Sequence, residues 1–240
     1  LLGRPVVTYG LTALRRCPEI DTITIVGPDS IQPVAAEVRA TWLPAPGAMM
    51  ANLLAGLTAL QERDWVLIAG SDTPLVTAEI ISSLLKECAR QDADIFYPIV
   101  PRDVLERKYP GGKRTWVTLN EGSYTGGNLF LLRPQAILKN QLLFDKLIAS
   151  RKNPAQLAAI FGVAFVAKLL MKNLTIHELE ARATSLLKVP VRAIVTPHPE
   201  IGIDLDKAED HAQLTKILTD KESRQTGFFA SLPPGIRRPG

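Results

Sequence analysis

An α/β fold built on an open, mostly parallel sheet is the class this sequence predicts. Two observations carry it. Short runs rich in β-branched residues alternate along the chain with stretches whose apolar residues recur at the helical period. The run "WVLIAG" at 65–70 is almost wholly apolar, as expected of a strand covered on both faces of a parallel sheet. Right-handed crossovers between such strands bring their C-terminal ends to one edge, where ligands bind in open α/β sheets.

In chain order, "TITIVGP" (22–28) reads as a strand stopped by Gly27 and Pro28. In "MMANLLAGLTALQER" (49–63), Met50, Leu53, Leu54, Leu57 and Leu60 keep helical spacing. The strand at 65–70 follows, then a helix over "TAEIISSLLKECAR" (77–90), with Thr77 placed to cap it. "DIFYPIV" (94–100), "NLFLLRP" (128–134) and "RAIVTP" (192–197) read as further strands, and "KAEDHAQLTKILTDK" (207–221) as a closing helix. From about 102 to 125 the rhythm breaks. The segment is rich in Gly, Lys and Arg and reads as an excursion over the ligand edge, in part a hairpin. Residues 135–187 read as a helical insert. The expected organisation is one domain over 1–220 with a Pro/Gly/Arg-rich tail at 221–240. Internal repeats are not seen.

Composition narrows the function classes. Hydrophobic residues make up 46% of the chain, enough for a sizeable core. The net charge of +4 is spread out rather than gathered in a basic run, which argues against nucleic acid and suits phosphorylated small molecules. Cys17 and Cys88 form no CxxC pair, and His177, His198 and His211 do not cluster with them, so a zinc centre is not expected. A reducing cytoplasm is the expected compartment. The uncharged run Asn153 to Ala167 is too short for a membrane span, and no secretory signal is visible. The apolar insert offers a surface through which a homodimer could form.

The residues that could carry chemistry fall mainly at strand ends. In "VLIAGSDTPLV" a carboxylate, Asp72, follows an apolar strand, beside Ser71 and ahead of Pro74. A turn or helix cap explains such a residue; so does a magnesium ligand. In "GIDLDKAEDHAQL", Asp204 and Asp206 are two apart, and in extended backbone they point the same way and repel unless a cation lies between them. A strand end running into a helix start is the plainer explanation. "YTGGN" offers Gly126 and Gly127 for close backbone approach and Asn128 for hydrogen bonding. "GAMMANLLAGL" runs a small-residue loop into a helix whose free N–H groups can hold a base or a phosphate. Lys113–Arg114 and Arg151–Lys152 are basic pairs able to hold phosphate. Ser71 has no G-x-S-x-G frame, so a nucleophile elbow is not supported.

"GRPVVTYGLTAL", "TITIVGP", "GAMMANLLAGL", "VLIAGSDTPLV" and "GIDLDKAEDHAQL" come in the order found in MobA-like nucleotidyltransferases, and this resemblance covers most of residues 3–218. It implies a three-layer α/β/α, Rossmann-like fold of the glycosyltransferase-A type. It also implies transfer of a nucleoside monophosphate from an NTP to a phosphorylated or otherwise acidic acceptor, with release of pyrophosphate and use of Mg2+ or Mn2+. Under it, Asp72, Asp204 and Asp206 are the expected metal ligands, and Asp72, Asp206 and Lys113 the expected catalytic residues. Gly47 and Asn52 stand where members contact base and ribose. Ser71, Arg114, Gly126, Gly127, Asn128 and Lys152 complete the expected binding set. The family opens with a strand and a Gly-rich loop that wraps the triphosphate. Its place falls before Gly3–Pro5, so the loop is expected upstream of Leu1 or lost. A metal-dependent glycosyltransferase and a non-catalytic nucleotide binder are the alternatives. Against the first, its carboxylates usually form a local DxD, whereas Asp72 stands between Ser71 and Thr73.

Overall fold

The structure is a computed structural model and describes residues 1–112, 114–150, 154–207 and 210–220. Lys113, Lys152 and the tail at 221–240 lie outside the described residues.

After helix α1 (Val7–Arg16) the chain forms strand β1 (Thr24–Gly27), helix α2 (Gln32–Glu37) and strand β2 (Thr41–Pro44). β1 and β2 pair in parallel as a two-stranded sheet. Helix α3 (Met49–Ala59) leads to β3 (Val66–Ala69), α4 (Ala78–Cys88) and β4 (Ile95–Pro101). The excursion that follows holds α5 (Arg102–Lys108), β5 (Val117–Leu119), β6 (Gly122–Gly126) and β7 (Leu129–Leu132). The insert is helical: α6 (Pro134–Leu138), α7 (Gln141–Ser150), α8 (Pro154–Phe161), α9 (Val163–Leu170) and α10 (Ile176–Leu187). Strand β8 (Val191–Val195) and a final helix, α11, over 210–220 close the described chain.

Local sequence explains the boundaries. Thr77 caps α4, its side chain accepting from the Ile80 N–H at 3.5 Å. Thr175 and Glu178 form a reciprocal capping box at the start of α10, and Lys188 ends that helix in the left-handed region at φ 57°. Strand β2, "TWLP", escapes a sequence reading because it is four residues long and ends on a proline.

The expectation of a mostly parallel sheet is corrected. β3 pairs with β7, β7 with β4, β4 with β6, and β6 with β5, all antiparallel. In this six-stranded sheet only β8 runs parallel to its neighbour, β4. The cause is the excursion after β4. Its hairpin returns the chain alongside β4, so that β7 wedges between β3 and β4. β3, β4 and β8 nevertheless run in one direction, because β3 and β4 are each antiparallel to β7. Their C-terminal ends therefore still share one edge.

Helices cover both faces of this sheet. Neighbouring strand residues point to opposite faces. Phe96 and Leu131 pack with Ile81 and Leu84 of α4 and Ala13 of α1. Ile95 and Leu132 pack on the other side with Leu57 of α3, Ile137 of α6 and Leu187 of α10. A third cluster, with Leu75, Val100, Leu105, Tyr109, Ile203 and Leu214, joins the end of β4 to α5 and α11 beside the strand ends.

Candidate active site

Two distant segments meet at the shared edge. The turn after β3 carries Asp72, and the extended stretch after β8 carries Asp204 and Asp206. A backbone hydrogen bond stitches them together: Leu205 N–H donates to the Asp72 carbonyl at 2.9 Å. One carboxylate oxygen from each of Asp72, Asp204 and Asp206 lies within 4.8 Å of the others. Asp72 and Asp204 are half-buried and Asp206 is exposed.

The turn after β3 is shaped to aim Asp72. Thr73 is buried, and its hydroxyl donates to the Gly70 carbonyl at 3.0 Å. A Cβ at Gly70 would lie 2.8 Å from Asp72 Oδ1, so the missing side chain leaves room for the carboxylate to fold back. Burial pushes the Asp72 carboxyl above its usual range, its backbone hydrogen bond works against this, and the charges of Asp204 and Asp206 add to the rise. Three converging like charges, two of them half-buried, suit a hard divalent cation with oxygen ligands.

On the second segment, Asp210 at the start of α11 accepts from the backbone N–H groups of Asp206 at 3.2 Å and Lys207 at 2.9 Å. This holds the loop that presents Asp206. Leu205, Asp206, Lys207 and His211 line an open hollow of about 440 Å³ beside the carboxylates. Arg114 reaches across from the excursion and pairs with Asp204. Sequence reading did not pick out Asp210, Lys207 or His211. The spacing of Asp210 four residues after Asp206, at a helix start, is the signal that could have found the first of these.

The remaining candidates are placed as follows. Ser71 is exposed at the end of β3. Asn128 lies beside it: its carbonyl accepts from Gly70 N–H, and its own N–H donates to Ile201, each at 2.9 Å. At Gly126 a Cβ would collide with the Tyr97 hydroxyl, and at Gly127 it would stand 2.6 Å from Ile201 Cγ2. The close approach at these glycines is thus made by the protein's own side chains. Gly47 and Asn52 pair with each other: Gly47 N–H donates to Asn52 Oδ1 at 3.1 Å, and Asn52 Nδ2 donates to the Gly47 carbonyl at 3.2 Å. Among the described residues no hydrogen bond joins this pair to the carboxylates.

Comparison with known proteins gives the site its context. The model of the MobA-like NTP transferase domain matches residues 1–109. A hypothetical transferase structure from Thermus thermophilus is 37% identical, with a TM-score of 0.77 over 87% of this chain and 86% of that one. The chain belongs to the MobA-like NTP transferase family. Two more distant structures share its fold. 4-Diphosphocytidyl-2C-methyl-D-erythritol synthase from Anaerococcus prevotii is 14% identical, with a TM-score of 0.55 over 90% of this chain and 87% of that one. A CMP:2-keto-3-deoxy-manno-octonic acid synthetase, solved with CTP, is 8% identical, with a TM-score of 0.61 over 92% of this chain and 90% of that one. Among curated proteins none matches. No helix among the described residues is long and apolar enough to cross a membrane.

Proposed function

We propose that this family member is a divalent-cation-dependent nucleotidyltransferase. It transfers an NMP group from an NTP to a phosphorylated small-molecule acceptor and releases pyrophosphate. The convergence of Asp72, Asp204 and Asp206 within 4.8 Å is the observation that carries the reading. These three residues would hold Mg2+ or Mn2+, which supplies charge neutralisation at the phosphates when bound. An acceptor oxygen attacks the α-phosphorus, the bond from that phosphorus to the bridging oxygen breaks, and pyrophosphate departs. The chain's contribution is positioning and electrostatics, with no covalent enzyme intermediate. Asp72 and Asp206 would act on the reacting phosphate by holding that cation, since bare carboxylates repel a phosphate. Arg114 and Asn128 border the cluster and can donate to phosphate oxygens. CTP is the first nucleotide to test, because a synthetase of the same fold was solved with it. Cys17 and Cys88, both buried free thiols, suit a reducing cytoplasm.

The test is pyrophosphate release from a panel of NTPs and sugar, alcohol or cofactor phosphates with Mg2+. Asp72→Asn is expected to lower the rate at least about a hundredfold. It should melt no lower than the wild type, since it removes one of three converging like charges. Full turnover by Asp72→Asn would end the assignment. Release of nucleotide from a nucleotide-sugar, with no pyrophosphate from any NTP, would redirect it to glycosyl transfer.

A further inference from the structure

Arg114 is a cation already present at the candidate metal site. Its guanidinium pairs with Asp204, and the side chains of the two residues are 13% and 21% exposed. The pair spans 90 residues of sequence, so folding alone brings it together. Arg114 sits in the irregular stretch between α5 and β5, close behind Gly111 at φ 86° and Gly112. A Cβ at Gly112 would stand 3.7 Å from Arg114 Nε, so the side chain lies back along its own Gly-rich segment. Backbone of this composition can re-aim a side chain at little steric cost.

Charge makes the arrangement unstable toward exchange. One guanidinium faces three carboxylates whose oxygens lie within 4.8 Å of one another. It satisfies Asp204, and among the described residues no ion pair reaches Asp72 or Asp206. A divalent cation held by all three would neutralise more charge. It would also sit within a few ångströms of Arg114, where two positive groups repel strongly. The freed guanidinium is a fork suited to phosphate oxygens.

We propose that Arg114 is a resident counter-cation that the divalent metal displaces from Asp204, and that the segment from Arg114 to Trp116 shifts with it. This rests on the reading of Asp72, Asp204 and Asp206 as metal ligands. In the free protein the metal must compete with Arg114, so its apparent affinity is lowered by the fraction of molecules in which Asp204 is paired. Trp116, two residues on, lies under Arg102 with the guanidinium carbon 5.5 Å from the ring centre, and reports the position of the segment.

The experiment measures Mn2+ binding to the full chain without nucleotide, by the electron paramagnetic resonance signal of free Mn2+. Wild type, Arg114→Gln and Asp72→Asn are compared. Arg114→Gln is expected to bind Mn2+ about tenfold more tightly, as for a paired state populated near 90%. Equal or weaker binding would overturn the exchange and make Arg114 a permanent support for Asp204. If wild type and Arg114→Gln both fail to bind Mn2+, or Asp72→Asn binds as well as wild type, the metal-site reading itself falls first. A second measurement does not depend on how Arg114→Gln folds. Titrating wild type with Mg2+ is expected to change tryptophan emission, and the change should vanish in Trp116→Phe. Emission that stays flat while Mn2+ binds would overturn the movement of the segment.

Discussion

Glu200 is a carboxylate that the candidate chemistry does not use, yet it is 2% exposed. Its Oε1 accepts from Lys108 Nζ at 2.6 Å and from the Tyr109 hydroxyl at 2.8 Å. Oε2 is buried and has no partner among the described residues. Burial opposes the charge, but the bonds from Lys108, the backbone and Tyr109 outweigh it, and the carboxyl is held below its ordinary range. Burial, with the neighbouring Glu200, pushes the Tyr109 phenol well up. A carboxyl lowered by folding contributes stability above its unfolded pKa, and that contribution is lost as pH falls through the folded pKa. Glu200→Gln is therefore expected to cost about 2–4 kcal/mol at neutral pH in urea denaturation. The gap to wild type should narrow below about pH 4. A gap independent of pH would mean that packing, not charge, is what Glu200 provides. This residue was not legible in the sequence, because its partners lie 91 and 92 positions away. Asp72, Asp204 and Asp206 were legible because each stands at a strand end or in an i, i+2 pair. Asp72 alone had a plainer explanation as a turn, and the convergence of the three came only with folding. Arg114 was legible as a cation, but not as the partner of Asp204.

At the scale of elements, the sequence placed most strands and helices and misread their direction. The run at 65–70 looks like a strand of a parallel sheet because it is covered on both faces, and burial on two faces says nothing about neighbour direction. The neighbour is set by the excursion after β4, where α5, an irregular stretch and a tight β5–β6 turn at Asn120–Glu121 bring β6 back alongside β4. The junction of β6 and β7 shows the consequence. β4 pairs Ile99 with Gly126 but Ile95 with Leu132, so the two registers differ by two residues, accommodated at Gly127 and Asn128. Gly127 N–H donates to the Pro98 carbonyl at 2.8 Å. A Cβ there would stand 2.6 Å from Ile201 Cγ2 and 3.1 Å from the Pro98 carbonyl oxygen. Gly127→Ala is expected to destabilise the protein by about 1–3 kcal/mol through overpacking, read by chemical denaturation. Unchanged stability with lost nucleotide affinity would instead assign Gly127 to the ligand.

At the scale of the molecule, the candidate site is assembled from segments that have few local reasons to stay together. The turn after β3, the stretch after β8, the excursion carrying Arg114 and the start of α11 meet at one edge. They are held by the cluster that includes Leu75, Val100, Ile203 and Leu214, and by single bonds such as Leu205 N–H to Asp72. A ligand that bridges these segments binds the folded state alone, so it stabilises the whole domain by mass action. CTP with Mg2+ at about a hundred times its dissociation constant should add about 2.7 kcal/mol. For a domain of this size that corresponds to a rise in Tm of about 5–10 °C. Calorimetry or dye-monitored melting can check it across all four NTPs, each with Mg2+ or with EDTA. Three features are expected together. The shift needs the divalent cation, it is largest for the preferred base, and it is lost in Asp72→Asn. A shift that survives in Asp72→Asn would place the nucleotide elsewhere on the molecule. A shift that survives EDTA would mean that the three carboxylates are not what holds the phosphates.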